Sequence, residues 1–225
     1  GVSAALVFLV AVVSMGLTEY LYYWWADYQK TKSTKLKNPS FTLGNFTALT
    51  SGLIYGLILP DQVPLLVVAI GGVVGIFFSK LIFGGMGHNI FNIAGFARVF
   101  VGLAYATSLG YSANVDASAG ATVLGILGQD LTADPGITYS LSTMFTGFGM
   151  PGSLGETSAL LILVGALYLF IRKSYDVFVP LTYLGTVFMI MLAVSLFHPV
   201  SPNLPLYYLL SGGLMFGAIY MATDP

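Results

Sequence analysis

Three short stretches carry residue types and spacings able to do chemistry. In Asp116-Ala117-Ser118-Ala119-Gly120-Ala121-Thr122 one hydroxyl follows a run of small residues, so the backbone is approachable and a bulky group can be attached to, or rest against, Thr122. The same run also makes a small-residue helix start capped by Asp116 or Ser118. In Gly84-Gly85-Met86-Gly87-His88-Asn89-Ile90-Phe91-Asn92 the clustered glycines permit positive φ and bare backbone N–H groups, while Asn89 and Asn92 can cap the helix beyond them. The positive end of that helix suits an anion or a polar ring; the other reading is a tight interhelical turn, with His88 an interfacial polar residue. In Gly149-Met150-Pro151-Gly152-Ser153-Leu154-Gly155-Glu156-Thr157-Ser158 the acid Glu156 enters a helix continued by Leu160, Leu161 and Ile162. An acid at the membrane boundary is costly and calls for a partner or a function, and stabilising the helix start is the plainer role. Arg98 is the other charge expected within a span.

The elements that must position these stretches are set by composition. Of 225 residues, 56% are hydrophobic and 8% charged, against about 25% charged in a soluble domain. The mean hydropathy of +0.86 and the 27 glycines, nearly twice the usual share of about 7%, describe an integral membrane protein with closely packed or broken helices. Eight basic residues against nine acidic ones give a net charge of -1, which leaves no surface to neutralise a nucleic-acid backbone. With no cysteine and two histidines the chain cannot ligate an iron–sulfur cluster or a thiolate zinc site, so any redox chemistry must come from an organic cofactor. The chain opens without Met inside the apolar run Val2 to Val13 and stops at Asp224-Pro225, and is expected to be part of a longer protein.

Apolar runs predict seven spans, roughly 1 to 25, 45 to 59, 65 to 83, 90 to 109, 157 to 171, 177 to 197 and 204 to 222. Residues 110 to 156 read as loops, half-helices or a re-entrant segment that protein must shield from lipid. Lys30, Lys32, Lys35 and Lys37 place the loop after the first span inside, and threading from there sets Lys80, Arg98, Arg172 and Lys173 towards the inner side. Asp116 and the Thr122 stretch then fall on the outer side. Gly52-Leu53-Ile54-Tyr55-Gly56-Leu57-Ile58 matches Gly213-Leu214-Met215-Phe216-Gly217-Ala218-Ile219 in segments that this threading sends across in opposite directions. The expected fold is therefore a single all-α polytopic membrane domain over 1–225 with discontinuous helices. Its inverted repeats cover about 45–109 and, incomplete, about 157–225.

Taken in order, the Asp116 to Thr122 segment, Gly-Gly-Met-Gly-His-Asn with Phe91-Asn92, Gly155-Glu156-Thr157-Ser158-Ala159, Tyr175-Asp176 with Pro180 before Leu184-Gly185-Thr186-Val187, and Met221-Ala222-Thr223-Asp224-Pro225 resemble one family. It comprises the D subunit of the Rnf complex and the B subunit of the sodium-translocating NADH:quinone reductase. The short connection from Arg98 to Asp116 and the compact Arg172 to Pro180 loop favour the Rnf member. The resemblance implies FMN bound to Thr122 through a phosphoester, attached by a flavin transferase that reads an Asp-x-x-(Ser/Thr)-x-Ala-Thr pattern outside the prokaryotic cytoplasmic membrane. Asp116, Ala121 and Thr122 fit; Ala119 stands where Ser or Thr is common, with Ser118 one place early, and Val123-Leu124 replaces a following Pro-Leu. It also implies a non-covalent riboflavin, for which the glycine-rich junction is a candidate, and a fold related to urea transporters. The cofactor-binding set is then Thr122, Asp116, Gly120, Ala121, Ser118, Gly85, Gly87, Asn89, Asn92, Arg98, Glu156 and Thr157, with no metal site.

The resemblance thus implies an electron-carrying subunit of an ion-translocating (sodium or proton) ferredoxin:NAD oxidoreductase. Its expected neighbours are the flavin-bearing G-type subunit and the C-type subunit, with the lipid bilayer around them, and alone it completes no reaction. The rival reading is a urea-transporter-type channel in which Thr122 merely lines a pore.

Overall fold

The computed structural model describes residues 2–32, 46–85, 87–106, 123–132, 134–149, 152–153, 155–211 and 213–222. They are helical, with no strand among them. The chain divides into two compact units, one within Gly1–Val115 and the other Asp116–Asp224.

In the first unit, α1 (Val2–Thr31) packs against α2 (Thr47–Leu57) and α3 (Leu65–Ile76), and α3 packs against α4 (Ile93–Ala104). α1 is long because nothing in it interrupts the backbone ladder; its 30 residues span about 45 Å, enough to cross a bilayer. Its buried stripe runs Ala4, Val7, Ala11, Met15 and then turns polar at Glu19, Tyr23 and Asp27, all at helical spacing. α2, by contrast, has 11 residues, about 16 Å, roughly half the hydrocarbon thickness. It is capped by Ile58 just before Pro60. α3 starts after Pro64 and widens into a π-helical turn, Phe77–Leu81, before the glycine-rich junction.

In the second unit, α5 (Val123–Gln129) is followed by a 3₁₀ turn, Pro135–Ile137, and by α6 (Leu141–Thr146), α7 (Ala159–Ile171) and α8 (Phe178–Phe197). α9 (Leu204–Leu210) and α10 (Leu214–Phe216), the latter continued by a π-helical turn Gly217–Met221, form one apolar pair bent by 63°. Val123, Leu127, Met144, Leu204 and Tyr207 make the core of this unit. α8 presents Phe178, Leu181, Met189, Ile190, Leu196 and Phe197 outward. That much exposed apolar surface is stable against lipid or another apolar protein surface and not against water.

By length and composition, Val2–Gln29 and Phe178–Phe197 can each cross a membrane, and the bent α9–α10 pair has the form of either one broken span or a re-entrant loop. The other four expected spans are shorter apolar helices, Thr47–Leu57, Leu65–Leu81, Ile93–Ala104 and Ala159–Ile171. Each of the seven expected apolar runs thus holds a helix, two of them long enough to span alone, and the bent α9–α10 pair is discontinuous. The two segments paired by sequence differ locally. Gly52–Ile58 lies in the regular α2 and its cap, whereas Gly213–Ile219 runs through α10 into a π turn.

Candidate functional site

Asp116, Ser118, Gly120, Ala121 and Thr122 lie outside the described residues, which resume at Val123, the first residue of α5. Val123 and Leu127, one turn apart, are 1% and 3% exposed and fix one face of α5 in the core. The Val at 123, a departure from the transferase pattern, is thus an anchor. On the adjoining face Leu124 is exposed, and nothing lies within 4 Å of where a side chain at Gly128 would begin. α5 is thus a short helix held in the core on one face and open on the other.

At the glycine-rich junction, Gly84, Gly85 and Gly87 take positive φ values of 113, 100 and 79°, as their sequence predicts. Gly85 is required for a second reason: the Tyr23 hydroxyl of α1 occupies the space a Cβ would fill. Asn92 caps α4, its Oδ1 accepting from Gly95 N at 2.8 Å. Asn89 does not serve as the cap; its Oδ1 is buried with no hydrogen-bond partner among the described residues. His88 is exposed. Arg98 donates from Nε to the carbonyl of Ile58 at 3.0 Å, placing a cation on the negative end of α2.

Glu156 does not open a helix. The cap of α7 is Ser158, whose Oγ accepts from Leu161 N at 3.3 Å, and Glu156 sits in the turn before it. Its carboxylate instead packs on Gly213 at the break between α9 and α10, where a Cβ would stand 2.8 Å from Oε1. Thr157 lies in the same turn, its carbonyl pressed against Gly147, the left-handed C-cap of α6. Capping therefore belongs to Ser158, as hydroxyl chemistry favours. Ser158→Ala is expected to cost about 1 kcal/mol of stability and Glu156→Gln to leave α7 intact. Thermal unfolding of the two variants, with exchange protection of the α7 amides, checks both.

The sequence reading missed the charges buried deepest. Lys80, in the π turn after α3, donates to Glu19 Oε1 at 2.9 Å and to Thr47 Oγ1 at 2.8 Å, with the lysine 1% and the glutamate 0% exposed. Arg98 is thus not the only ionisable group inside the helices, and Lys80 is an interior cation where an inner-end one was expected. A lysine beside the first turn of α2 opposes the helix dipole, so Glu19 must be there to neutralise it. The available signal was the stripe Glu19, Tyr23, Asp27, which continues the apolar face of α1 in register. Away from the membrane helices, the Thr132 hydroxyl and backbone N–H hold the Asp130 carboxyl below its ordinary value.

Known proteins resemble this chain over most of its length. One relative, the D subunit of the proton-translocating ferredoxin:NAD(+) oxidoreductase complex of Clostridium ljungdahlii, is 30% identical over all of this chain and 67% of its own length. The B subunit of the Na(+)-translocating NADH-quinone reductase of Chromohalobacter salexigens is 38% identical over 78% of this chain and 44% of its own. The D subunit of the Na(+)-translocating ferredoxin:NAD(+) oxidoreductase complex of Acetobacterium woodii is 32% identical over 84% and 58%. The chain therefore spans about half to two thirds of the length of these relatives. Residues 1–225 match one family description from end to end, and the chain belongs to the NQR2, RnfD, RnfE family.

Proposed function

We propose that this chain is a membrane-embedded, flavin-carrying electron-transfer subunit of an ion-translocating oxidoreductase of the Rnf type. The observation that carries the reading is the position of α5: the residue after Thr122 is locked into a core while the next face of the same helix stays open. Thr122 supplies the hydroxyl for a phosphoester to FMN, and Asp116 and Ala121 complete the pattern read by a flavin transferase. When bound, the isoalloxazine supplies the one-electron steps, and the protein supplies position and electrostatics. Leu124 and Gly128 offer it an apolar shelf, and Val123 and Leu127 hold that shelf still.

Riboflavin, the second flavin of the reading, would be held at the junction of α3 and α4. Asn89 Oδ1 is an acceptor in want of a donor, and nothing lies within 4 Å of where a side chain at Gly87 would begin. Asn92 and Arg98 support this junction through the α4 cap and the Ile58 carbonyl. In the assembled complex the G-type and C-type subunits are the proposed neighbours, Thr122 lies on the outer side of a prokaryotic cytoplasmic membrane, and the urea-transporter-like inverted repeat frames both flavin sites.

The test is direct. The full-length chain, purified and denatured in SDS, should fluoresce in the gel, and its intact mass should exceed the sequence mass by one FMN less one water. A dark band of unmodified mass rejects the covalent flavin; solute flux through the reconstituted chain then selects the channel reading, and its absence a structural scaffold.

A further inference from the structure

The loop that leaves α5 is tied to α9 by one polar contact with no counterpart in the motif. Tyr207 is 2% exposed, its ring packed with Val123, Leu127, Met144 and Leu204, and its hydroxyl donates to Asp134 Oδ1 at 2.6 Å. The Asn203 and Ser201 side chains lie beside the same hydroxyl. The same Asp134 oxygen accepts from Gly136 N at 3.0 Å and so closes the 3₁₀ turn Pro135–Ile137. A Cβ at Gly136 would stand 2.5 Å from Tyr207 Oη and 3.0 Å from Asp134 Oδ1, so this position has room for glycine alone while the contact is made. At the near end of the loop, Asp130 Oδ1 takes Thr132 N at 2.8 Å and the Thr132 hydroxyl at 2.6 Å, which fixes the turn out of α5.

Neither partner needs the other for its local task. Asp134 would cap its turn without a tyrosine, and a phenylalanine would fill the core as well as Tyr207. Together they join α5 to α9 across 73 residues of sequence by a hydrogen bond to a carboxylate, stronger than a neutral one. Ser211 Oγ in turn donates to the Tyr207 carbonyl, so the tie reaches the break between α9 and α10.

We propose that the Asp134–Tyr207 hydrogen bond is the positioning contact that holds the loop after α5, and through it α5, against α9. The inference rests on the reading of Thr122 as the attachment residue. Both residues act through α5 and neither is a catalytic residue.

The experiment uses the assembled complex with Tyr207→Phe, Asp134→Ala and Asp134→Asn, and reads three quantities: amide exchange along α5 with α8 as internal control, covalent flavin in the denaturing gel, and the reduction potential of that flavin. Tyr207→Phe and Asp134→Ala should retain the covalent flavin, speed α5 exchange by about tenfold or more relative to α8, and shift the flavin potential. Asp134→Asn, whose amide oxygen still accepts from both Tyr207 and Gly136 but carries no charge, should fall between wild type and Asp134→Ala. Should Asp134→Ala fail to assemble, Tyr207→Phe set against Asp134→Asn makes the same comparison. Unchanged exchange overturns the proposal, as does faster exchange with an unchanged potential, which would make the contact structural only. A wild-type band without fluorescence is a different failure, that of the Thr122 assignment, and takes the proposal with it.

Discussion

Thr122→Val should abolish the covalent flavin while leaving the subunit inserted and assembled. Valine keeps the volume and β-branching of threonine and removes the one atom able to form the phosphoester. The following residue, Val123, is anchored in the core by its own side chain, so α5 keeps its place whether or not residue 122 is modified. The expected loss of in-gel fluorescence is complete, since no partial bond replaces a missing oxygen. Thr122→Ser, which restores a hydroxyl without the methyl, should recover part of the label. Fluorescence in the valine variant equal to wild type would reject Thr122 as the site, and loss of assembly would show that residue 122 packs in the core.

The second large effect is expected at Lys80. Removing it in Lys80→Met leaves the fully buried Glu19 carboxylate without its cation, and breaking such a pair on one side costs about 3–5 kcal/mol. That is a large part of the total stability of a domain, so the variant should assemble in poor yield and unfold at lower temperature. Replacing both partners, Glu19→Leu with Lys80→Met, removes both desolvation costs together and should recover most of the loss, because a well-packed apolar pair is often as stable as a buried ionic one. The double variant also removes the Lys80 donor from the Thr47 hydroxyl, so recovery should fall short of complete. Thermal unfolding of the four members of the cycle in detergent measures the coupling. A Lys80→Met variant as stable as wild type would reject the Glu19–Lys80 pair as a stabilising contact.

Much of the molecule is dictated by rules that act within a few residues. The membrane class came from composition, and seven apolar runs located every long helix; the glycines at 84, 85 and 87 and the Asn92 cap stand where local backbone chemistry puts them. Glu156 shows the limit of such rules: two polar residues follow it before α7, and the hydroxyl nearest the helix took the cap. Glu156 instead meets Gly213, 57 positions later in the sequence, which no local pattern predicts.

What the tertiary structure alone decided are the pairings between elements. Glu19 and Lys80 stand 61 residues apart and Asp134 and Tyr207 stand 73 apart. In the sequence each is a single polar residue in an apolar run or a loop, with nothing to name its partner. Helix periodicity assigns a residue to a face, and hydropathy assigns the face to lipid or protein, but neither says which face meets which. That is fixed by close packing: glycines let backbones approach, backbone breaks set where α2 and α9 stop, and only then do a buried charge and a charge able to neutralise it come within hydrogen-bonding distance.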